Sequence, residues 1–150
     1  MKKIEKMKSP DGTKSERNLP PNLFVKALRE VVSELIYISE TDAAVIPFFG
    51  TKANVNSAAE ILRQTKRKDT TEVEERDFSE FFERLTTIKD WFRKEDEDRA
   101  RGFLELRKLL ENNLTEIKVY KLGRIAIDIY VVGIDSRGFL AGVRTKAVET

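Results

Sequence analysis

The chain has 150 residues, 40% of them hydrophobic, and contains neither cysteine nor histidine. That length suits one domain with a sizeable core. The two missing residue types exclude disulfides, thiolate chemistry, Ser–His–Asp and Cys–His arrangements, and the usual zinc and iron ligand sets. Net charge is +2, unevenly spread: Lys2, Lys3, Lys6, Lys8, Lys14 and Arg17 against Glu5, Asp11 and Glu16 give residues 1–21 a net +3, leaving the rest at −1. The basic excess therefore sits in the first residues and does not describe a basic face on a folded body, which weakens a nucleic-acid reading.

Residues 1–21 are rich in Lys, Ser and Pro and end in Leu19-Pro20-Pro21, a composition expected to stay disordered; the folded domain is expected over 22–150. No apolar stretch follows the basic start, so no secretory signal is expected, and no run approaches the ~20 apolar residues of a membrane span. A cysteine-free chain of this kind suits a reducing compartment, and a cytoplasmic monomer is expected.

From Leu23 to Ile38, Phe24, Ala27, Leu28, Val31, Leu35 and Ile38 recur at helical spacing. The run Ala43–Phe49 reads as a strand, with Pro47 pointing to a sheet edge or a bulge. Ser57-x-x-Glu60 is a capping-box pattern opening a helix to about Gln64. Thr70–Glu75 reads as a strand. Asp77-x-x-Glu80 caps a helix with a Phe78, Phe81, Phe82, Leu85 stripe, and Thr87-x-x-Asp90 is a further capping pattern. The acidic run Glu95–Asp98 suits the first turn of a helix, where the macrodipole favours negative charge. That helix carries Phe103, Leu106, Leu109, Leu110 and Leu114.

Beyond it the hydrophobic period changes from 3.6 to 2. Strands are expected over Glu116–Lys121, through Ile125, Ile127, Ile129 and Val131 on one face, and from Phe139 through Ala141, Val143, Thr145 and Ala147 almost to the chain end. The turns fall at Leu122-Gly123 and Asp135–Gly138. Three consecutive antiparallel strands form a meander. Apolar Tyr130, Val132 and Leu140 on its second face call for helices on both sides.

Chemical motifs are few. Gly133-x-x-x-x-Gly138 has half the spacing of a phosphate-binding loop, but Phe139 and Leu140 stand where Lys and Ser/Thr are needed, and it joins two strands. It reads as a hairpin. The 95–98 acidic run lacks calcium-loop spacing and reads as a solvated helix start. Asn113-Leu114-Thr115 is a glycosylation sequon only by pattern. Neither a catalytic residue nor a metal or cofactor of its own is expected, so the chain is not read as an enzyme. Trp91, the single tryptophan, sits among charges; it is either core packed on Ile88, as its apolar area favours, or an interface anchor. The strand pattern running to Thr150 holds a carboxylate and a hydroxyl at a fixed point, both oxygen ligands acceptable to a hard cation.

These residues resemble the nuclease A inhibitor family over about Leu23–Thr150. The matching pieces are Ile38-Ser39-Glu40, Asp77-x-x-x-Phe81-Phe82-x-Arg84, Thr86-Thr87-x-x-Asp90-Trp91 and Val119-Tyr120-x-Leu122-Gly123. They continue with Asp128-x-Tyr130-Val131-x-Gly133, Gly138-x-Leu140-Ala141-Gly142 and Thr145-Lys146-x-Val148-Glu149-Thr150. The resemblance implies a three-layer α/β/α sandwich around a mainly antiparallel sheet. It further implies inhibition of a sugar-non-specific DNA/RNA endonuclease of the ββα-metal type, with the C-terminal Thr150 reaching that nuclease's magnesium and Glu40, Asp90 and Trp91 as the other contacts. Two other readings compete: an interaction module of the same fold with a non-nuclease partner, and a nucleic-acid binder using the basic tail, which steep salt dependence would reveal.

Overall fold

The computed structural model describes residues 18–150. Residues 1–17, the greater part of the expected tail, lie outside the described residues. The rest of that tail is packed: Leu19 is buried, its amide donates to Asn113 Oδ1 at 2.7 Å, and the Asn18 amide donates to the Asn112 carbonyl at 3.1 Å. Pro21 already belongs to a helix, so the expected boundary at residue 22 cuts through placed structure.

Helix α1 (Pro21–Val32) opens with proline at its first position, where the missing N–H costs no hydrogen bond. It buries Phe24, Ala27, Leu28, Val31 and Val32. The helix stops well short of the expected Ile38. Ile36–Ile38 instead forms strand β1, paired antiparallel with β2 (Asp42–Ala44) in a small hairpin. The periodicity fits either state, and β-branched residues opposite a partner strand favour the sheet. Val45 is buried and donates to the Leu35 carbonyl at 3.1 Å, separating β2 from β3 (Ile46–Lys52). The expected strand at 43–49 is thus two strands in two sheets.

Helix α2 (Ala58–Gln64) is capped by Ser57 Oγ, which accepts from the Glu60 amide at 3.1 Å. Strand β4 (Val73–Arg76) precedes α3 (Phe78–Thr86), capped by Asp77 Oδ2 accepting from the Glu80 amide at 3.0 Å. The second capping pattern, Thr87-x-x-Asp90, caps nothing: Thr87 closes α3, donating through Oγ1 to the Glu83 carbonyl at 2.7 Å. Helix α4 (Lys94–Asn113) begins in the acidic run, with Asp96 Oδ2 accepting the Arg93 amide at 3.0 Å. This contact holds the Asp96 carboxyl below its ordinary range.

The meander follows as β5 (Thr115–Leu122), β6 (Ala126–Ile134) and β7 (Phe139–Val148). Gly123 and Gly138 take the positive φ values, 109° and 86°, that their turns require. Ile125 falls outside its expected strand, in the first turn, and is exposed. The main sheet has the order β3-β7-β6-β5-β4, antiparallel throughout. β3 is an edge strand, which is where Pro47 is tolerated.

Helices α1, α3 and α4 pack on one face against Val119, Ile127, Ile129, Val131, Val143 and Ala147. α2 covers the other face through Ile61 and Leu62, against Tyr120, Leu122, Tyr130, Val132 and Leu140. The result is the α/β/α sandwich. The second layer is pinned by Asn56, fully buried, whose Nδ2 donates to the Glu116 and Val132 carbonyls at 2.7 and 2.9 Å while its Oδ1 accepts from Tyr120 Oη at 3.0 Å.

Candidate functional site

The site grows out of how β7 ends. Its pairing with β3 runs from Phe139 only as far as Arg144, opposite Ile46. Beyond that point the β1–β2 hairpin takes over the same edge. Thr145 Oγ1 donates to the Ala44 carbonyl at 2.9 Å, the Val148 amide donates to Ser39 Oγ at 3.1 Å, and the Glu40 amide donates to the Val148 carbonyl at 3.4 Å. On its other edge β7 stays paired with β6 to Val148, opposite Ala126, and the Glu149 amide donates to the Ile125 carbonyl at 3.0 Å.

Thr150 is therefore presented, not frayed. Its amide donates to Glu40 Oε2 at 2.9 Å and its hydroxyl donates to the same carboxylate at 2.9 and 3.1 Å. Two donors on one carboxylate favour its charged form. The Thr150 amide, and then its hydroxyl, hold the Glu40 carboxyl below the ordinary glutamate range. Both residues are exposed. Among the described residues no ion pair is made by the Thr150 carboxylate, whereas its amide and hydroxyl are both held by Glu40.

The residue before the tip is held from beneath. Lys121 lies on β5 opposite Ile129, which lies opposite Thr145, so all three point to the helix-covered face. Lys121 is buried, and its Nζ donates to Glu149 Oε2 at 2.7 Å; the lysine side chain is 6% exposed and the glutamate 41%. Tyr37 on β1 is near enough to feel this carboxylate. Burial first, and Glu149 second, raise its phenol above the usual value, against the opposing effect of Arg84 and Arg76.

Asp90 and Trp91 come from the loop joining α3 to α4. The Phe92 amide donates to the Lys89 carbonyl at 3.1 Å, which makes Asp90 and Trp91 the two central residues of a β-turn. Turn centres point away from the backbone they reverse. Trp91 is 73% exposed, resting only edge-on against Phe92 with ring centroids 4.9 Å apart. The core alternative for Trp91 is thereby overturned: Phe81, Phe82 and Phe103 form the aromatic core beneath these helices, and the indole stays outside it. Ile88, its expected packing partner, is itself exposed.

Ile38 ties the loop to the hairpin. It lines one cleft with Phe81, Arg84 and Leu85 at the end of α3, and another with Glu95, Asp98 and Arg99 at the start of α4. The two helix ends joined by the Asp90–Trp91 loop thus flank the strand that leads, two residues on, to Glu40. Glu40 and Thr150 are in direct contact; Asp90 and Trp91 stand on the neighbouring loop, and all four are exposed.

The sequence reading passed over Ser39 and Lys121 as functional residues. A signal was present for Lys121: it falls on the same alternating positions of the strand as Ile117 and Val119. For Ser39 no local pattern existed, because its partner Val148 is 109 residues away.

Among the described residues no group of three or more Asp or Glu is arranged to hold a metal ion, and no helix is long and apolar enough to cross a membrane. What the arrangement offers is a chain segment held by Glu40 at Thr150 and an exposed indole. A family model described as nuclease A inhibitor-like protein matches residues 22–150. No curated protein matches the chain.

Proposed function

The chain belongs to the nuclease A inhibitor-like protein family, and from that membership we propose that it inhibits a sugar-non-specific DNA/RNA endonuclease by seating its C-terminal tip in the active site. The observation that carries this reading is the Glu40–Thr150 pairing, which leaves the terminal carboxylate as the leading group of an ordered strand. A magnesium held by a nuclease keeps water ligands that substrate oxygens displace. A carboxylate has the charge and hardness to take such a position, and it contains no bond the nuclease can cleave. Since the Thr150 hydroxyl is engaged by Glu40, the carboxylate is the metal-directed group in this proposal.

Charge at the tip supports the same reading. Glu40, Asp90 and the terminus supply negative charge at this end although the body outside residues 1–21 carries only −1. A cleft built for phosphates is complementary to that local charge. Trp91, exposed on the loop between α3 and α4, would supply an apolar anchor, tryptophan being enriched at binding hot spots.

The experiment is inhibition of a ββα-metal endonuclease by the wild-type chain, by a chain lacking Thr150, and by one extended at its C-terminus. Deletion and extension are expected to weaken inhibition by at least about 30-fold, the equivalent of a ~2 kcal/mol hot spot, without lowering the melting temperature. Thr150→Ala is expected to lose less than the deletion, because it keeps a terminal carboxylate at the same position. Undiminished inhibition by a chain with a bulky C-terminal fusion overturns the mechanism. If the wild-type chain inhibits no such enzyme, the alternative of an interaction module with a non-nuclease partner takes its place.

A further inference from the structure

We infer that Lys121 is a positioning residue for the C-terminal tip: its buried ammonium fixes Glu149 and so sets the direction in which the Thr150 carboxylate leaves the fold. The role follows from geometry and deepens the inhibitory reading, on which its consequence for binding rests.

Terminal residues of a strand normally fray, because each lacks a following residue to continue the ladder. Here each of the last three residues is held, two of them by the β1–β2 hairpin and the one between them by β5 and the turn before β6. The hairpin holds Val148 through Ser39 Oγ at 3.1 Å and Thr150 through Glu40 at 2.9 Å. Glu149 is held twice, by the Ile125 carbonyl at 3.0 Å through its amide and by Lys121 at 2.7 Å through its side chain. Of these anchors only Lys121 reaches the tip from inside the fold.

Burial makes that anchor stiff. An exposed lysine pair is loose, since water competes for both partners and the side chain pays rotamer entropy to hold one geometry. The Lys121 side chain is 6% exposed, on the face of β5 that carries Val119, with Val73 and Ile127 lining the same cleft, so its ammonium is confined before it meets Glu149. Glu149 is the exposed partner and therefore the mobile one. The pair works in one direction: a fixed cation in the sheet immobilises the residue that carries Thr150. A tip ordered before binding avoids the ordering cost that a frayed terminus meets on entering a cleft.

Lys121→Met tests this, because methionine keeps the buried stem and strands no charge; Glu149 is free to solvate. In the free protein, backbone relaxation at Glu149 and Thr150 is the first readout. Both residues are expected to become markedly more mobile in Lys121→Met while Val143 in mid-strand is unchanged, and Lys121→Arg is expected to restore much of the order. Inhibition of the target nuclease is the second readout. Lys121→Met is expected to weaken it by about tenfold, the effect of ordering one or two more side chains on binding, and to have no further effect in a chain already lacking Thr150.

Where Lys121→Met does not fold, the Lys121→Met/Glu149→Gln double variant, which removes the whole pair, replaces it with the same expectations. Unchanged relaxation at residues 149–150 overturns the positioning role whatever inhibition does. A loss of inhibition that persists equally in the Thr150-deleted background also overturns it, since the effect would then not pass through the tip. If the wild-type chain inhibits no nuclease, the inhibitory reading falls, and the relaxation measurement alone decides the role of Lys121.

Discussion

Glu40 accepts two donations from one residue, and this has a pH signature. Its carboxyl titrates below the unfolded glutamate value of about 4.3. A depressed carboxyl contributes stability that is fully present above the unfolded value and is lost as pH falls through the folded one. The tip contact is therefore expected to persist from neutrality to below pH ~4.3 and then open. Following the Thr150 amide signal by NMR against pH checks this, with Glu40→Gln as the control that removes the transition. A midpoint above the ordinary glutamate range would sink the idea. Trp91 makes a second prediction at this scale. At 73% exposure, with Phe92 as its one ring contact, its replacement by alanine is expected to change stability by less than about 1 kcal/mol. Inhibition of a cognate nuclease is expected to weaken by ~2 kcal/mol or more. Melting curves beside inhibition curves separate the two effects, and a large loss of melting temperature would show that the indole supports the fold after all.

The elements around the tip are short, and most of what holds them is not local. The β1–β2 hairpin has three residues in each strand, too few to stand alone in water. It persists because Val45 is buried beside it, because Tyr37 stacks on Phe81 at 5.9 Å, and because β7 offers an edge where β3 leaves off. On the opposite face, α2 is a seven-residue helix whose place depends on the buried Asn56 cluster just before it. Burial pushes the Tyr120 phenol far up, which keeps it a hydrogen-bond donor to Asn56. Tyr120→Phe leaves Asn56 Oδ1 without that donor in a fully buried setting. The expected cost is about 1–3 kcal/mol in urea unfolding, the range for an unsatisfied buried polar group. A change of only a few tenths would mean that Asn56 has another donor. The tip, which makes none of this cluster's hydrogen bonds, is expected to keep its relaxation properties in the same variant.

For the molecule as a whole, the question is where the folded unit begins. The family match starts at residue 22, but Leu19 is 6% exposed within the larger core, and the amides of Asn18 and Leu19 are both bonded to the end of α4. Burying a leucine contributes roughly 1.5–3 kcal/mol. A chain beginning at Asn22 is therefore expected to be less stable than one beginning at Asn18 by about 2 kcal/mol, read from thermal or urea unfolding. Equal stability of the two would return the boundary to residue 22. Inhibition by both is expected to match that of the full chain, because α1 and the tip are joined through the core rather than through residues 18–21.

The sequence by itself determined the elements whose signals are local and repeated. The Ser57 and Asp77 caps, the acidic opening of α4 and the period-2 strands of the meander are each written within a few neighbouring residues. The tertiary structure decided what depends on partners far away. Residues 35–38 satisfy a helical stripe as well as a strand, and only pairing with Asp42–Ala44 selects the strand. Trp91 carries the apolar area of a core residue, and only its place at the centre of the turn between α3 and α4 puts it outside. Glu40 and Thr150 are 110 residues apart, and nothing near either one announces the other. Lys121 looks like one charge among many until the register sets it on the inner face, beneath the residue that precedes the chain end. Local patterns are set by backbone periodicity and capping. A site made of contacts between distant segments exists only once the sheet has fixed which strand lies beside which.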